Sequence, residues 1–151
     1  MSRAATCPLM ADAEFVRAYE VQSGDFANAG RASTSIKDTL KDMGLAAPLV
    51  RRIAIAAYEA EMNIVMYARR GTMRLSVTPD SVCLDVNDDG PGIPDIPLAM
   101  QEGWSTATAQ MREMGFGAGM GLPNIRRNSD EMVLTSEVGR GTHLSVRVKV
   151  S

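Results

Sequence analysis

Glu59 and Asn63 stand four residues apart in the segment Glu59-Ala60-Glu61-Met62-Asn63, inside a run that is otherwise apolar from Ile53 to Met66. On a helix that spacing puts both side chains on one face, about 6 Å apart along the axis. An amide oxygen suits Mg²⁺, a cation that keeps several waters and is often shared with substrate phosphates. A carboxylate beside it can take the proton of a water or hydroxyl. Glu61 points to another face. Taken alone, the pair also fits a helix acid bound to an arginine and an amide capping a nearby loop.

A second block, Asp88-Asp89-Gly90-Pro91-Gly92-Ile93, ends a strand. Asp88 shares parity with Val82, Leu84 and Val86, and side chains alternate along a strand, so Asp88 faces the core side. An ionised acid there is costly unless it is paired or hydrogen-bonded. The amino group of an adenine would be such a partner. Gly90 and Gly92 leave room for a flat ring to approach the backbone. The same residues also fit a polar turn closing a strand. Asp89 has the opposite parity and faces solvent. Thr142 shares parity with Leu144 and Val146, so its hydroxyl could complete a purine contact, or it could be one more β-branched strand residue.

The third block is Gly115-Phe116-Gly117-Ala118-Gly119-Met120-Gly121, just ahead of a helix start at Leu122-Pro123. Free N–H groups at a helix start hold phosphates, and glycines let the backbone wrap an anion. No Gly-Lys-Ser or Gly-Lys-Thr follows, so this is not a Walker A loop. The dinucleotide pattern fails as well, because its third glycine position falls on Leu122. Together and in this order, the three blocks read as the means of holding a magnesium nucleotide.

Those residues need elements to position them. The chain has 151 residues, enough for one domain with one core. Net charge is −2, which excludes the basic field of a nucleic-acid binder. No apolar run approaches the length of a membrane span. Cys7 and Cys83 lack metal-like spacing and point to a reducing cytoplasm. Residues 1–14 read as a disordered leader and 15–151 as a single domain. A strand is expected over Phe15–Val21. A helix capped by Asp25 should follow, burying Phe26, Ala29, Ser33, Ile36, Leu40 and Met43 and stopping at Gly44. Pro48 opens a second helix running to about Ala68. Strands centred on Met73–Val77 and Val82–Val86 flank a turn at Pro79-Asp80. A short helix starts at Asp95, a turn of helix is possible near Met111, and a helix runs from about Leu122 to Ser129. Two closing strands, Glu131–Glu137 and Thr142–Val150, join through Gly139-Arg140-Gly141. His143, the one histidine, has outward parity and should be exposed. The fold class is an α+β two-layer sandwich, a mixed and mostly antiparallel sheet with helices on one face.

The motifs resemble those of the Bergerat-fold (GHKL) ATPases, the group of gyrase, heat-shock chaperones, mismatch-repair proteins and histidine kinases. Glu59…Asn63 resembles the N box. Asp88-x-Gly90-x-Gly92 and Gly117-x-Gly119-x-Gly121 resemble the two glycine boxes, and Gly139-Arg140-Gly141-Thr142 resembles the terminal glycine-threonine element. The likeness covers roughly residues 15 to 150. Gly90-Pro91-Gly92-Ile93-Pro94-Asp95-Ile96, Gly103-Trp104-Ser105-Thr106 and Gly117-Ala118-Gly119-Met120-Gly121-Leu122-Pro123 are most similar to the anti-sigma-factor and switch-protein serine kinases. No helix with a phosphorylatable histidine is visible, unlike the sensor kinases.

The resemblance implies an ATP-dependent serine/threonine kinase of the cytoplasm that phosphorylates a small antagonist, STAS-like protein. It implies ATP and Mg²⁺ as cofactors, Glu59 as general base on the serine hydroxyl, and Asn63 as the Mg²⁺ ligand. Nucleotide contacts are implied for Asn63, Asp88, Gly90, Gly92, Ile93, Gly115, Gly117, Ala118, Gly119, Met120, Gly121, Leu122 and Thr142. The segment Gly103–Gly121 would close over the phosphates, where Arg112 could meet the γ-phosphate. The alternative is a nucleotide-gated binding module that sequesters a sigma factor or a regulatory enzyme with little catalysis. Monomer and homodimer are both open.

Overall fold

Alternation along the strands decides the layering. Met73, Leu75 and Val77 on one strand and Val82, Leu84 and Val86 on the next are all buried, and all turn to the same side. The computed structural model describes residues 14–101 and 121–150. Among these residues five strands form one sheet: β1 (Phe15–Gln22), β2 (Arg70–Val77), β3 (Ser81–Asp88), β4 (Glu131–Glu137) and β5 (Gly141–Lys149), in the order β1-β2-β3-β5-β4. Every pairing among the described residues is antiparallel, so the sheet lacks the parallel share of a mixed one. The turn between β2 and β3 is closed by Thr78, whose hydroxyl accepts the N–H groups of Asp80 and Ser81.

Among the described residues four α-helices accompany the sheet: α1 (Arg31–Asp42), α2 (Ala47–Tyr67), α3 (Ile96–Ala99) and α4 (Gly121–Arg127). The core joins Ile36 and Leu40 of α1, Ile53, Ala56, Ala60 and Ile64 of α2 and Ile125 of α4 to the apolar rows of β2, β3 and β5. This is the two-layer α+β arrangement. Among the described residues no helix is long and apolar enough to cross a membrane. The short helix expected at Asp95 is α3, and Asp95 caps it by taking the Leu98 N–H at 3.0 Å.

The first helix departs from the sequence expectation. Phe26–Asn28 is a 3-10 turn, and the chain then reverses at Gly30, φ +98°, before α1 begins at Arg31. Asp25 caps nothing; its carboxylate holds the Asn28 side chain instead. Met43 is 42% exposed, outside the buried stripe. The cap comes from α2. The Glu61 carboxylate, 2% exposed, accepts the N–H groups of Gly30 (3.0 Å), Ala32 (3.2 Å) and Ser33 (2.9 Å). Buried in this way, it satisfies three amides that no helical carbonyl reaches and sits at the positive end of the α1 dipole.

Glu61→Ala should therefore destabilise the fold by about 3 kcal/mol, since it leaves several amides without a partner. In a domain of this size that lowers Tm by roughly 6–12 °C. Glu61→Gln keeps an acceptor and should lose about half as much. Thermal melts of both variants check this, and an alanine variant melting with the parent would show that the cap is idle.

The far side of the sheet carries Arg74, Asp85 and His143. Asp85 is buried, 2.8 Å from Arg74 Nη2 and 3.3 Å from His143 Nε2. His143 does point outward, yet its side chain is only 38% exposed because it leans on that carboxylate.

Candidate active site

Two clusters lie along α2. The first is built on Glu59 and Asn63, one turn apart and both half-buried. Among the described residues no arginine pairs with Glu59. Its Oε2 accepts the side-chain N–H of Asn124, on α4, at 2.9 Å. Gly121, the first residue of α4, covers the pair. A Cβ placed on Gly121 would sit 3.4 Å from Asn63 Oδ1 and 3.6 Å from Glu59 Oε1. The helix following the glycine block thus starts directly over the acid and the amide. Asn63 makes no side-chain hydrogen bond among the described residues, so it caps no described loop.

The second cluster sits where β3 ends. Asp88 is half-buried and lies opposite Thr142 of β5. Its Oδ1 accepts the Gly90 N–H at 2.9 Å. Burial raises its pKa above the ordinary carboxylate value, hydrogen bonds from the Gly90 and Thr142 amides pull it partly back, and the Asp89 charge pushes it up further. Asp89 turns away, as its parity requires. The Arg70 N–H at 2.9 Å and the Arg70 guanidinium hold its carboxyl below the usual range.

The two glycines of this block are needed for a different reason than room for a ring. A side chain on Gly90 would strike the Cα of Ala68, just past the end of α2, at 2.8 Å. Gly92, φ +80°, lies against Glu137 and Val138, where a Cβ would be 2.9 Å from Val138 Cα. Their missing side chains are filled by protein, which pins the loop beside the sheet. Ser136 of β4 completes that clamp. Its hydroxyl accepts the Ile93 N–H at 2.6 Å, donates to the Gly141 carbonyl at 3.0 Å and lies 3.0 Å from Thr142 Oγ1. A hydroxyl has one proton, so Thr142 is then the donor to Ser136 and keeps its oxygen lone pairs as acceptors. The Pro91 carbonyl accepts the Gly139 N–H at 2.8 Å.

From Glu59 to Ala68, α2 advances about 13 Å at 1.5 Å per residue. One helix therefore carries the acid-amide pair at one point and backs the Asp88 loop at another. Among the described residues no group of three His, Cys, Asp or Glu could hold a metal ion by itself. A Mg²⁺ bound at Asn63 would then depend on phosphate oxygens and water for its other ligands, which fits the habits of that cation.

Gly103, Arg112, Gly115, Gly117, Ala118, Gly119 and Met120 lie outside the described residues, as do Ser105, Thr106, Met111 and residues 1–13 of the expected leader 1–14. Leu122 is half-buried in the first turn of α4. A groove of about 720 Å³ runs along α1, lined by Arg31, Thr34, Asp38, Asp42 and Tyr58 among others. No residue of the two clusters lines it. The convergent side chains, not this groove, mark the chemistry.

Sequence reasoning missed Asn124, Ser136 and Glu61. Only Glu61 left a trace, as an acid off the Glu59–Asn63 face of a mostly apolar, buried helix.

Residues 49–151, a span that holds both clusters, match the family described as Histidine kinase-, DNA gyrase B-, and HSP90-like ATPase. The chain is 33% identical over 112 residues to the Serine/threonine-protein kinase RsbT of Bacillus subtilis, covering 72% of this chain and 78% of that one. It is 31% identical over 93 residues to the Anti-sigma F factor of Caldanaerobacter subterraneus, covering 62% of this chain and 57% of the relative. The Anti-sigma F factor of a Thermoanaerobacter species is 30% identical over the same shares. With the family pattern spanning most of its length, this chain belongs to the histidine kinase-, DNA gyrase B- and HSP90-like ATPases, in the branch that holds the anti-sigma-factor serine kinases.

Proposed function

We propose that this chain is an ATP-dependent serine/threonine protein kinase of the anti-sigma-factor or switch type, acting in the cytoplasm on a small STAS-like antagonist protein. The observation that carries the reading is the convergence of Glu59 Oε1 and Asn63 Oδ1 on the start of α4 at Gly121. A protein that only bound nucleotide would need the amide but not the acid. The one-third identity to a serine/threonine kinase supports it independently.

In this reading Asp88 accepts a hydrogen from the adenine amino group, with Thr142 beside it. Asn63 holds Mg²⁺ through its amide oxygen. The cation, when bound, neutralises charge on the phosphates. Glu59 removes the proton of the incoming serine hydroxyl as the serine oxygen bonds to the γ-phosphorus and the bond to ADP breaks. Phosphoryl transfer of this kind depends mostly on positioning and electrostatics, so few reactive side chains suffice. Gly90, Gly92 and Ile93 hold the adenine end in place through their contacts with Ala68 just past α2, with β4 and with Val138.

Incubating the full chain with labelled ATP and candidate antagonist proteins, then mapping the label, tests this. Label on a serine of the partner is the expected result. Two relatives named Anti-sigma F factor favour a second reading, in which the chain holds a sigma factor. That reading expects ATP-dependent retention of the partner without label. Neither transfer nor retention would remove both. Asn63→Ala should weaken ATP binding in Mg²⁺ by about tenfold and leave binding in chelator unchanged, the scale of one lost charge-assisted contact. Calorimetry in both buffers reads this directly.

A further inference from the structure

We infer that Asn124 is a positioning residue for Glu59, fixing the carboxylate so that one chosen oxygen meets the incoming hydroxyl. The inference rests on the reading of Glu59 as general base.

Three side chains form a line. Arg127 Nη1 donates to Asn124 Oδ1 at 2.9 Å, and Asn124 Nδ2 donates to Glu59 Oε2 at 2.9 Å. The amide cannot be turned the other way. A guanidinium only donates and an ionised carboxylate only accepts, so the Asn124 oxygen must face Arg127 and its nitrogen must face Glu59. Both distances are those of good hydrogen bonds.

The consequence falls on the other oxygen of Glu59. With Oε2 held, the carboxylate no longer turns about its last bond. Oε1 is directed at Gly121, toward the same place as Asn63 Oδ1. A general base must lie within hydrogen-bond reach of the proton it takes, and a freely turning carboxylate meets that condition only part of the time.

The interposed amide also matters chemically. An arginine bonded directly to Glu59 would hold it as firmly but would favour the charged form and weaken its basicity. A neutral amide orients the acid while keeping the full positive charge one residue further off. Asn124 lies in the first turn of α4, just after Gly121, so the element that covers the site is also the one that aims the base.

A simple clamp between α4 and α2 would use the same hydrogen bond, and a double-mutant cycle separates the two roles. Single-turnover transfer from Mg²⁺-ATP is measured on the full chain with the acceptor protein, or phosphate release from ATP without it. Asn124→Ala should slow the reaction about tenfold with KM for ATP unchanged, the scale of one lost hydrogen bond. In a Glu59→Ala background, adding Asn124→Ala should change the rate by less than about twofold, because nothing remains to be aimed. Asn124→Asp, nearly the same shape but without the donor, should be at least as slow as the alanine variant.

Equal slowing by Asn124→Ala in both backgrounds, or a raised KM with kcat intact, would reduce Asn124 to a clamp and overturn the inference. The contact is also readable without turnover. The Asn124 side-chain amide signal in nitrogen-edited NMR should shift when Glu59 becomes alanine. A shifted signal with a Glu59→Ala enzyme at full rate would mean that the contact exists but the base assignment has failed. An unmoved signal would mean that the contact itself is absent. Either result removes the positioning role, and each points to a different error.

Discussion

Glu59→Ala is expected to slow phosphoryl transfer to a partner serine by about 10²–10⁴, the usual contribution of a positioned general base. ATP affinity should stay within about twofold, because the removed group acts on the hydroxyl rather than on the nucleotide. Fold stability should change little. Glu59 is half-buried and gives up one hydrogen bond, to Asn124, whereas Glu61 two residues on is buried and caps a helix. That contrast makes Glu61→Gln a useful control. It disturbs a carboxylate on the same turn of α2 and should lower Tm without the loss of kcat. Rapid-quench transfer assays alongside melts separate the two. Full-rate transfer by Glu59→Ala would mean that another group takes the proton.

The chemistry-bearing residues were legible in the sequence to the extent that local spacing fixes them. Four residues on a helix set Glu59 beside Asn63, and Gly121 of α4 lies over both. Strand parity put Asp88 and Thr142 on the inner side, and the register sets them opposite one another. The helix start at Asp95 was legible because what fixes it is local, a cap that reaches only to Leu98, three residues on.

What stayed hidden depends on contacts made across the chain. Asp25 had the right type and place for a cap, but the α1 amides are taken by Glu61, about thirty residues later and already buried. Local propensity is a weak prior against a buried carboxylate that needs donors. Asn124 and Ser136 are ordinary polar residues until α4 and β4 bring them to Glu59 and Ile93. Gly90 and Gly92 were read as leaving room for a flat ring, but in the structure a side chain at either would meet protein. What occupies the space is Ala68 in one case and the Glu137–Val138 backbone in the other, which no local pattern could reveal.

Asp88→Asn should cost about 10²-fold or more in ATP affinity, roughly 3 kcal/mol. Asp88 Oδ1 is committed to the Gly90 N–H at 2.9 Å, which leaves Oδ2 for a ligand donor. Asparagine can keep its oxygen on Gly90 only by putting its NH₂ where Oδ2 was, so two donors would then face each other at the adenine amino group. Without nucleotide the sign reverses. Burial raises the Asp88 pKa in the folded protein, so the fold binds that proton more tightly than the unfolded chain does. Stability therefore falls as pH rises from the ordinary carboxylate value through the raised one, and above it the loss is complete. Asparagine has no charge to desolvate, so at neutral pH the unliganded variant should melt at or above the wild-type temperature. In acid, once the wild-type carboxyl is protonated, that advantage should vanish. Saturating Mg²⁺-ATP should raise the wild-type Tm and leave that of the variant nearly unmoved, since ligand binding stabilises only the form it binds. A carboxylate that weakens the empty fold and strengthens the loaded one is held there for its ligand. An Asp88→Asn protein that binds ATP as well as wild type would show that the purine is read elsewhere.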